Sequence, residues 1–434
     1  MSGINELSAS RRWVYIFVAA LCMMATFPGR THGLGLITES VLTDFNLDRT
    51  IYGYYNLCAT LIGALFCIPI GSMLDRFGCR RILVIVLTGL GISVLWMSFS
   101  QSKAIFFICL VLTRGFGQSA LSVASITLIS KYFPKVKLGF AMGIYSVLTS
   151  LFFMIAFGAA GIALDSLSPL AIAFGGSEII FPVWRITWGG VGIFLLAFCI
   201  PIILLSVRKE YNISSDVGAD AVAGSVNQGE NSVTQDAGIP FSKALCTAAF
   251  WVFGLSISFF NLVSSGVGLH NEDILFERGF DTKMYHFLMV LPIPFALASN
   301  LGIGLLARYV RINYLLAFSL LFTGLAKFMF PLVQIPAHVY IYTIVLAIAG
   351  GGLTVLFFIA WADIFGKRDV GRIQGAAQMM TVFMSAVGPV FFAYSKEWTE
   401  SYTPAFYISG GLTIAFAIAA YFIKIPAITY CVKR

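Results

Sequence analysis

The chain has 434 residues, of which 59% are hydrophobic and only 11% are charged, and its mean hydropathy is +0.88. Because ordinary soluble domains contain about 45–50% apolar and about 25% charged residues, this composition excludes a water-soluble globular protein. The formal net charge of +8 comes from Lys and Arg residues scattered among short loops, which argues against nucleic acid as a partner. The eight cysteines lie mostly within apolar runs and lack metal-ligand spacing, so neither a metal site nor a cofactor is expected.

Continuous apolar runs recur along the whole chain. A lipid bilayer admits helices and closed barrels, and barrel strands alternate polar and apolar residues, so uninterrupted runs favour helices. A spanning helix needs about 20 residues. Runs of that length predict helices near 13–38, 51–74, 81–100, 104–131, 138–164, 186–207, 248–271, 284–307, 312–333, 338–364, 370–394 and 403–425. We therefore predict an all-α, multi-pass membrane protein with twelve transmembrane helices, the first of which is too long to be a signal-peptide core.

A polar segment divides the predicted helices into six and six. Residues 209–240 are rich in Ser, Gly, Asn and Asp and nearly lack aromatic residues, a composition typical of a flexible linker. The predicted organisation is a six-helix bundle over residues 1–208, a cytoplasmic linker over 209–240 and a second six-helix bundle over 241–434. Two related halves of this kind are typical of transporters, in which the solute site lies between the halves near the middle of the bilayer.

The distribution of basic residues predicts the orientation in the membrane. If the N-terminus is cytoplasmic, nineteen Lys and Arg residues fall on the cytoplasmic side and six on the opposite side. Cytoplasmic loops carry the excess of Lys and Arg. Both termini are therefore predicted to be cytoplasmic, in a cell membrane or an inner membrane.

The loop after the second predicted helix reads GSMLDRFGCRR over residues 71–81. It resembles the G-x-x-x-D-R-x-G-R-R signature of the major facilitator superfamily, with Cys79 between the second glycine and the arginine pair. The resemblance implies two pseudo-symmetric six-helix bundles and a cytoplasmic lock, in which Gly71 permits close helix approach and Asp75 pairs with basic groups at a neighbouring helix end. The expected gating residues are Gly71, Asp75, Arg76, Gly78, Arg80 and Arg81.

Three further segments bear on the same resemblance. The sequence TRGFGQSAL, over residues 113–121 in the fourth helix, is similar to the R-G-x-G-x-x motif of the superfamily. ARYVR, over 307–311, occupies the place of the first signature in the second half but lacks its Asp and Gly. FGKRDVGRIQG, over 365–375, is similar to a stretch in the monocarboxylate and oxalate/formate branches. This last resemblance implies an organic anion as substrate.

Three basic residues fall inside predicted helices, where a charge costs at least about 2.5–3.5 kcal/mol and an ionisable residue is a functional candidate. Arg30 follows Pro28 and Gly29 in the first helix, and Arg114 lies in the fourth. Lys327 lies in the ninth helix near its outer end, and we expect its side chain to extend toward the membrane interface.

Arg30 and Arg114 are predicted to converge on an anion. No acidic residue lies in the middle of a first-half helix to neutralise them, and helices one, four, seven and ten line the central cavity in the family that the chain resembles. A guanidinium group can bond both oxygens of a carboxylate. In the alternative interpretation, Arg114 bonds backbone carbonyls or supports coupling, and Arg30 extends toward the outer surface.

Other candidate residues are neutral or titrate near pH 7. His32 is predicted to carry a coupling proton, although a simply hydrogen-bonded histidine is the alternative. In the second half, Asn261 offers hydrogen bonds, and Thr354 and Phe357 follow a glycine run in helix ten. The predicted substrate-binding residues are Arg30, Arg114, Asn261, Thr354, Phe357, Tyr54 and Tyr145.

The expected protein is a monomeric secondary active transporter that moves a small organic anion, a monocarboxylate or dicarboxylate, by alternating access. A proton or a counter-anion is the expected coupling partner. No hydrolase, metalloprotease or Walker motif is present, so we do not expect an enzyme. The alternatives are an exporter of amphipathic, drug-like compounds, whose cavity would be expected to hold acidic residues, and a non-transporting membrane sensor with the same fold.

Overall fold

A computed structural model of the chain describes residues 9–167, 169–174, 177–208, 238–281 and 290–426, together with positions 284, 287 and 288. Residues 209–237 of the predicted linker lie outside the described residues, as does part of the first turns of the predicted helix 284–307. Within the described residues, eleven helices are long and apolar enough to cross a membrane, and a twelfth is shorter. The eleven are α1 (Arg11–Gly29), α2 (Thr50–Phe77), α3 (Cys79–Ser98), α4 (Lys103–Tyr132), α5 (Lys135–Ser166), α6 (Val183–Ser206), α7 (Ala248–Glu277), α9 (Ile312–Leu332), α10 (Pro336–Phe365), α11 (Val370–Thr399) and α12 (Thr403–Phe422), and the shorter helix is α8 (Pro292–Leu306). The all-α fold predicted from the apolar runs is confirmed.

The helices pair in the same way in both halves. In the first half α1 packs on α5, α2 on α4 and α3 on α6, and in the second half α7 packs on α11, α8 on α10 and α9 on α12. Each pair is related to its counterpart by a shift of six helices, which is the pattern expected of two related bundles. The halves meet where α2 packs on α11 and α5 packs on α8.

The boundaries of the helices follow local chemistry. The Ser102 hydroxyl accepts a hydrogen bond from the backbone amide of Ile105 at 3.2 Å and begins α4, and Thr247 does the same for Phe250 at 3.3 Å at the start of α7. These side chains satisfy amides that have no partner within the helix. Gly78, with φ of 84°, separates α2 from α3 in a conformation that glycine adopts without steric cost.

Helix α1 is broken near its end. It is regular over Ala9–Met24, tightens into a 3-10 turn over Phe27–Gly29, and the chain becomes extended at Arg30 before a short helix over Thr31–Gly35. Proline within this segment removes a backbone donor and favours the interruption. The predicted continuous helix 13–38 is therefore wrong beyond Gly29, because the chain becomes extended at Arg30.

Helix α4 is widened next to this break. Residues 114–121 form a π-helical segment, a rare geometry that is frequent at functional sites. A Cβ added at Gly29 would overlap the backbone oxygen of Thr113, and one added at Gly63 would lie 3.0 Å from the Gly115 amide nitrogen. Glycine thus allows both the α1 break and α2 to approach the widened segment.

A small β-hairpin connects α5 to α6. Strand β1 (Leu170–Phe174) pairs antiparallel with β2 (Ser177–Phe181), with Leu170 opposite Phe181. This hairpin was not predicted from the sequence. Its isoleucines and phenylalanines have high strand propensity, and each run is too short to cross a bilayer.

Candidate functional site

A central cavity of about 290 Å³ lies between the two halves. The first half contributes residues from α1, the Arg30 break, α4 and α5, and the second half contributes residues from α7, α10 and α11. The lining residues are Met23, Arg30, Ser122, Ile126, Ser146, Thr149, Ser150, Phe153, Ile257, Phe260, Asn261, Leu353, Thr354, Phe357, Phe358, Gln378 and Thr381. A cavity shared by two bundles is the place where relative motion of the bundles changes access.

Arg30 is the charged residue of the cavity wall. Its Nε donates to the Thr26 hydroxyl at 2.8 Å, and its Nη2 donates to the sulfur of Met23 at 3.0 Å and to the Ser122 hydroxyl at 3.1 Å. The guanidinium carbon lies 5.3 Å from the centre of the Phe153 ring, a distance at which the ring face attracts a cation. These contacts fix the guanidinium group at the cavity without neutralising it.

Among the described residues, no carboxylate forms an ion pair with Arg30. The ion pairs among the described residues join Lys131 to Asp75, Lys135 to Asp363, Arg185 to Asp44, and Lys396 to Glu277. Arg30 belongs to none of them. A cation held beside a cavity without an acidic partner attracts an anionic ligand, because burying the charge alone is unfavourable.

Arg114 lies behind the cavity wall rather than on it. Its side chain is only 2% exposed, and its donors are directed at neutral oxygens of α4 itself and of neighbouring helices. Nη1 donates to the hydroxyl of Thr31 at 3.0 Å and to the side-chain oxygen of Gln118 at 2.8 Å, and Nη2 donates to that of Asn56 at 2.8 Å. Arg114 therefore joins the α1 break to α4 and α2. The structure does not bring Arg114 onto the cavity wall with Arg30.

The predicted residues of the second half lie on the cavity wall. Asn261 comes from α7, and Thr354 and Phe357 come from α10. The Asn261 amide nitrogen donates to the Ile257 carbonyl at 2.9 Å, and the Thr354 hydroxyl donates to the Gly350 carbonyl at 2.9 Å. In each side chain these bonds use a donor, so the Asn261 amide oxygen and the Thr354 hydroxyl oxygen can still accept a hydrogen bond from a solute. Their role in substrate binding stays a prediction.

Three other predicted residues lie off this wall. Tyr145 is fully buried, with its hydroxyl 2.8 Å from the Ser125 hydroxyl and its ring packed edge-on against Phe358 at 5.3 Å. Tyr54 is 62% exposed, and His32 is exposed on the short helix after the break. Tyr145 supports a lining residue from behind, whereas Tyr54 and His32 are not among the residues that line this cavity.

Several lining residues escaped the sequence analysis. Gln378 and Thr381 come from α11, and Phe153 and Thr149 come from α5, two helices outside the set that was expected to line the cavity. A polar Gln within an apolar helix is the signal that would have identified Gln378. No comparable signal marks Phe153, since the chain contains 40 phenylalanines.

The predicted gating residues lie at one end of the cavity, called here the signature end because it carries residues 71–81. The Asp75 carboxylate accepts hydrogen bonds from the backbone amides of Gly371 at 3.1 Å and Arg372 at 2.8 Å, and it pairs with Lys131 at 3.1 Å. Gly371 and Arg372 begin α11, so a carboxylate of the first half caps a helix of the second. Free amides and the helix dipole both favour an anion at this position.

Gly71 brings α2 and α11 into backbone contact at the signature end. A Cβ added at Gly71 would overlap the carbonyl oxygen of Gly371, and one added at Gly371 would lie 2.6 Å from that of Gly71. The remaining signature residues are more peripheral. The Arg80 guanidinium donates to the Leu204 carbonyl at 2.8 Å, Arg76 lies over Phe77, and Arg81 is exposed.

The second contact between the halves is a glycine contact, flanked by the Lys135–Asp363 ion pair that joins α5 to α10 at 3.2 Å. Gly139 of α5 and Gly304 of α8 face each other, and a Cβ added at either would lie within 2.6 Å of the other's carbonyl oxygen. Nearby, the side chains of Asn300 and Ser146 are hydrogen-bonded at 2.7 Å. The ARYVR segment lacks an Asp, and glycine contact takes the place of the carboxylate cap at this joint.

Lys367 adds a titrating group to the signature end. It lies in the loop between α10 and α11, and its Nζ donates to the Lys131 carbonyl at 2.9 Å. Burial, and then the nearby charge of Arg12, lower the pKa of Lys367 to about 8, against about 10.4 for a free lysine. Between about pH 8 and about pH 10 the unfolded chain binds more protons, so this lysine makes the free energy of unfolding rise with pH.

We therefore expect the melting temperature of the protein to rise relative to that of a Lys367→Met variant as pH increases from about 8 to about 10. Below about pH 8 the difference between the two melting temperatures should be constant, because both states are then protonated. Thermal unfolding in detergent at half-unit pH steps measures this. A constant difference up to pH 10 would contradict the lowered pKa.

Lys327 is buried, and the expected extension toward the membrane interface is wrong. The side chain is 2% exposed, its Nζ donates to the Thr413 hydroxyl of α12 at 3.0 Å, and it lies 5.7 Å from the centre of the Phe259 ring. No ion pair among the described residues includes it. The side chain turns inward because α12 and α7 offer it a hydroxyl and a ring face.

Replacing Lys327 by Met is expected to stabilise the protein by about 1–4 kcal/mol, because an apolar side chain of similar volume removes the cost of burying an unpaired cation. The melting temperature of purified protein measures the effect. Lys424→Met, at an exposed position after α12, is the control and should change little. A lower melting temperature for Lys327→Met alone would show that the buried lysine is net stabilising.

Within the described residues, no group of three His, Cys, Asp or Glu side chains is placed to hold a metal ion. The described lining of the cavity consists of one cation, several neutral polar groups, and aromatic and aliphatic side chains. These groups can hold a solute by ionic attraction, hydrogen bonding and apolar contact.

Two bundles with matching helix pairs, a cavity between them and a closed signature end define a polytopic membrane transport protein. The sequence profile of the Major Facilitator Superfamily matches residues 13–272, which is more than half of the chain. The protein belongs to this superfamily, whose members are transporters.

Solved structures agree with this fold. The human organic anion transporter MFSD10 (TETRAN) is 14% identical with a TM-score of 0.69, over 95% of this chain and 100% of that one. The E. coli fucose:proton symporter FucP is 13% identical with a TM-score of 0.65, over 94% and 98% of the two chains. A structure of FucP in the outward conformation is 14% identical with a TM-score of 0.65, over 94% and 99%. No curated protein matches the chain.

Proposed function

We propose that this protein is a secondary active transporter that moves a small organic anion across a membrane by alternating access. The observation that carries the proposal is Arg30, a cation without a carboxylate partner on the wall of the cavity between the halves. Because none of the described residues that line the cavity is acidic, an anion entering it meets attraction from one half and no repulsion from the other.

The size of the cavity supports a small solute. Pockets for drug-sized ligands have volumes of about 300–1,000 Å³, and this cavity, at about 290 Å³, lies just below that range. An exporter of large amphipathic compounds would need a wider space in this conformation. The organic anion activity named for the human structural relative is in keeping with the proposal.

The signature end supplies a reversible closure for alternating access. In this conformation the α2–α11 and α5–α8 contacts join the halves there, so the cavity is closed on that side. If the positive-inside orientation holds, the closed side is cytoplasmic and the conformation is outward-facing. Opening would break the hydrogen bonds of Asp75 with Gly371 and Arg372 and the Lys135–Asp363 ion pair, which join the halves, while new contacts form at the opposite end.

A coupled proton or a counter-anion would supply the driving force. Moving one charge against 100 mV costs about 2.3 kcal/mol, which a co-transported proton offsets. His32 lies two residues from Arg30, and we propose it as the proton carrier. Exchange with a counter-anion would need no titrating residue, so the two modes differ in their response to a pH gradient.

Uptake into proteoliposomes tests the proposal. The purified chain should accumulate radiolabelled monocarboxylates above the level of protein-free liposomes, and fucose serves as the neutral control solute. An imposed inward proton gradient should raise uptake if a proton is coupled, whereas preloaded anion should raise it under exchange. Accumulation of fucose with no accumulation of any anion would overturn the proposal.

A further inference from the structure

The charge of the cavity wall is confined to one half. Of the lining residues in the described part of the chain, Arg30 alone carries a charge, and it belongs to the first half. The second half contributes apolar and neutral polar side chains: Ile257, Phe260, Asn261, Leu353, Thr354, Phe357, Phe358, Gln378 and Thr381. An anionic group is therefore favoured at only one end of a bound solute.

The second intramembrane arginine does not join the wall. Arg114 is 2% exposed, and three of its five N–H groups are already directed at Thr31, Gln118 and Asn56. Bringing its charge to the cavity would break these three hydrogen bonds, two of which, to Thr31 and Asn56, reach other helices. Arg114 thus acts as a positioning residue for the α1 break that carries Arg30.

Arg30 itself has room for one anionic group. Its Nε and both N–H groups of Nη2 are used by Thr26, Met23 and Ser122, which leaves the two N–H groups of Nη1. These can bond a single carboxylate. A second carboxylate on the same solute would lie toward the second half, where burying an unpaired charge among aromatic rings is unfavourable.

The opposite wall suits an uncharged body. Phe260, Phe357 and Phe358 present ring faces and edges, which favour an apolar or aromatic body over a flexible polar one. Asn261 and Gln378 add neutral hydrogen-bonding groups that can meet a carbonyl or hydroxyl oxygen without adding charge.

From this distribution, and resting on the proposed function, we infer that the substrate is a monoanion, with one carboxylate held by Arg30 and an uncharged aromatic or apolar body against the second half. Dicarboxylates, which the sequence analysis leaves open, are excluded by the uncharged wall.

Matched benzene carboxylates test this inference on the purified full-length protein at pH 7.5. Benzoate has one charge, terephthalate has two, and monomethyl terephthalate has the bulk of the second group without its charge. Benzamide is the neutral probe. Isothermal titration calorimetry should show benzoate and monomethyl terephthalate binding with similar affinity, and terephthalate and benzamide binding at least about tenfold more weakly.

The outcomes separate the inference from the proposed function. If terephthalate binds as tightly as benzoate, the monoanion inference is overturned while anion transport stands. If benzamide binds as tightly as benzoate, the charge of the solute is irrelevant and the proposed function is overturned. If neither benzoate nor hexanoate binds, the inferred aromatic or apolar body is wrong.

A gain of function provides a second, independent test. Gln378→Lys places a cation on the second-half wall and should raise terephthalate affinity relative to benzoate by at least about tenfold. Gln378→Met, which is neutral and similar in size, is the matched control and should not change this ratio. An unchanged ratio in Gln378→Lys, in protein whose melting temperature matches that of the unsubstituted chain, would contradict a charge-limited wall.

Discussion

Replacing Arg30 by Gln is expected to reduce the affinity for a transported monocarboxylate by at least about 30-fold. Removing one partner of a buried, hydrogen-bonded charge pair costs about 2–5 kcal/mol, and each 1.4 kcal/mol is about tenfold. Concentration-dependent uptake into proteoliposomes measures the change as a raised KM or as loss of saturable uptake. Arg30→Lys keeps the charge but loses the planar fork, so it should retain part of the uptake.

Two variants separate anion binding from local folding. Ser122→Ala removes one hydrogen bond of Arg30 without removing its charge, and its uptake should fall far less than that of Arg30→Gln. Arg114→Gln leaves the oxygens of Thr31 and Asn56 without their donor, so it should lower the melting temperature more than it changes discrimination between anions and neutral solutes. Equal uptake by Arg30→Gln and the unsubstituted protein would remove the proposed site.

Replacing Gly71 by Ala is expected to force the halves apart at the signature end. The added Cβ would overlap the carbonyl oxygen of Gly371, and overpacking of this kind costs about 1–3 kcal/mol. The equilibrium between the closed and open signature end should shift by about fivefold to 150-fold toward the open state. Uptake should fall with it, because the cycle needs both states.

Spin labels on a cysteine-free background measure the shift. Phe77→Cys and Tyr309→Cys are 39% and 78% exposed and lie at the signature end on different halves, so their separation reports its closure. Gly302→Ala is the matched control, since a Cβ added there has nothing within 4 Å and only the gain in helix propensity remains. The steric account would be refuted if Gly71→Ala left the distance distribution unchanged, or if Gly302→Ala changed it to the same extent.

The elements that could be predicted from sequence are those that depend on local patterns. Twelve apolar runs predict the helices because the bilayer requires about 20 apolar residues per crossing. Asp75 was expected to contact a neighbouring helix end, and the structure shows it at the start of α11. The break at Arg30 follows from Pro28 and Gly29, although the apolar run alone predicted one helix over 13–38.

The different positions of Arg30 and Arg114 could not be predicted from sequence. Both are arginines within apolar runs without an acidic neighbour, so every local criterion treats them alike. Their separation depends on the π-helical widening of α4 and on acceptors from other helices, namely Thr31 and Asn56. Lys327 shows the same limit, because its inward turn depends on Thr413 and Phe259, which lie 86 residues and several helices away in the chain.

The two joints at the signature end differ in kind, and they should therefore respond differently to the surrounding solution. The Asp75 joint rests on backbone amides of α11, whereas the Lys135–Asp363 ion pair that flanks the α5–α8 joint is the more exposed one, with side chains 59% and 24% exposed against 18% and 9% for Lys131 and Asp75. Dissolved ions screen exposed charges more than buried ones, so raising the ionic strength on that face would free the α5 edge first and leave the Asp75 edge as a pivot. The halves would separate like a hinged book rather than like two parallel plates.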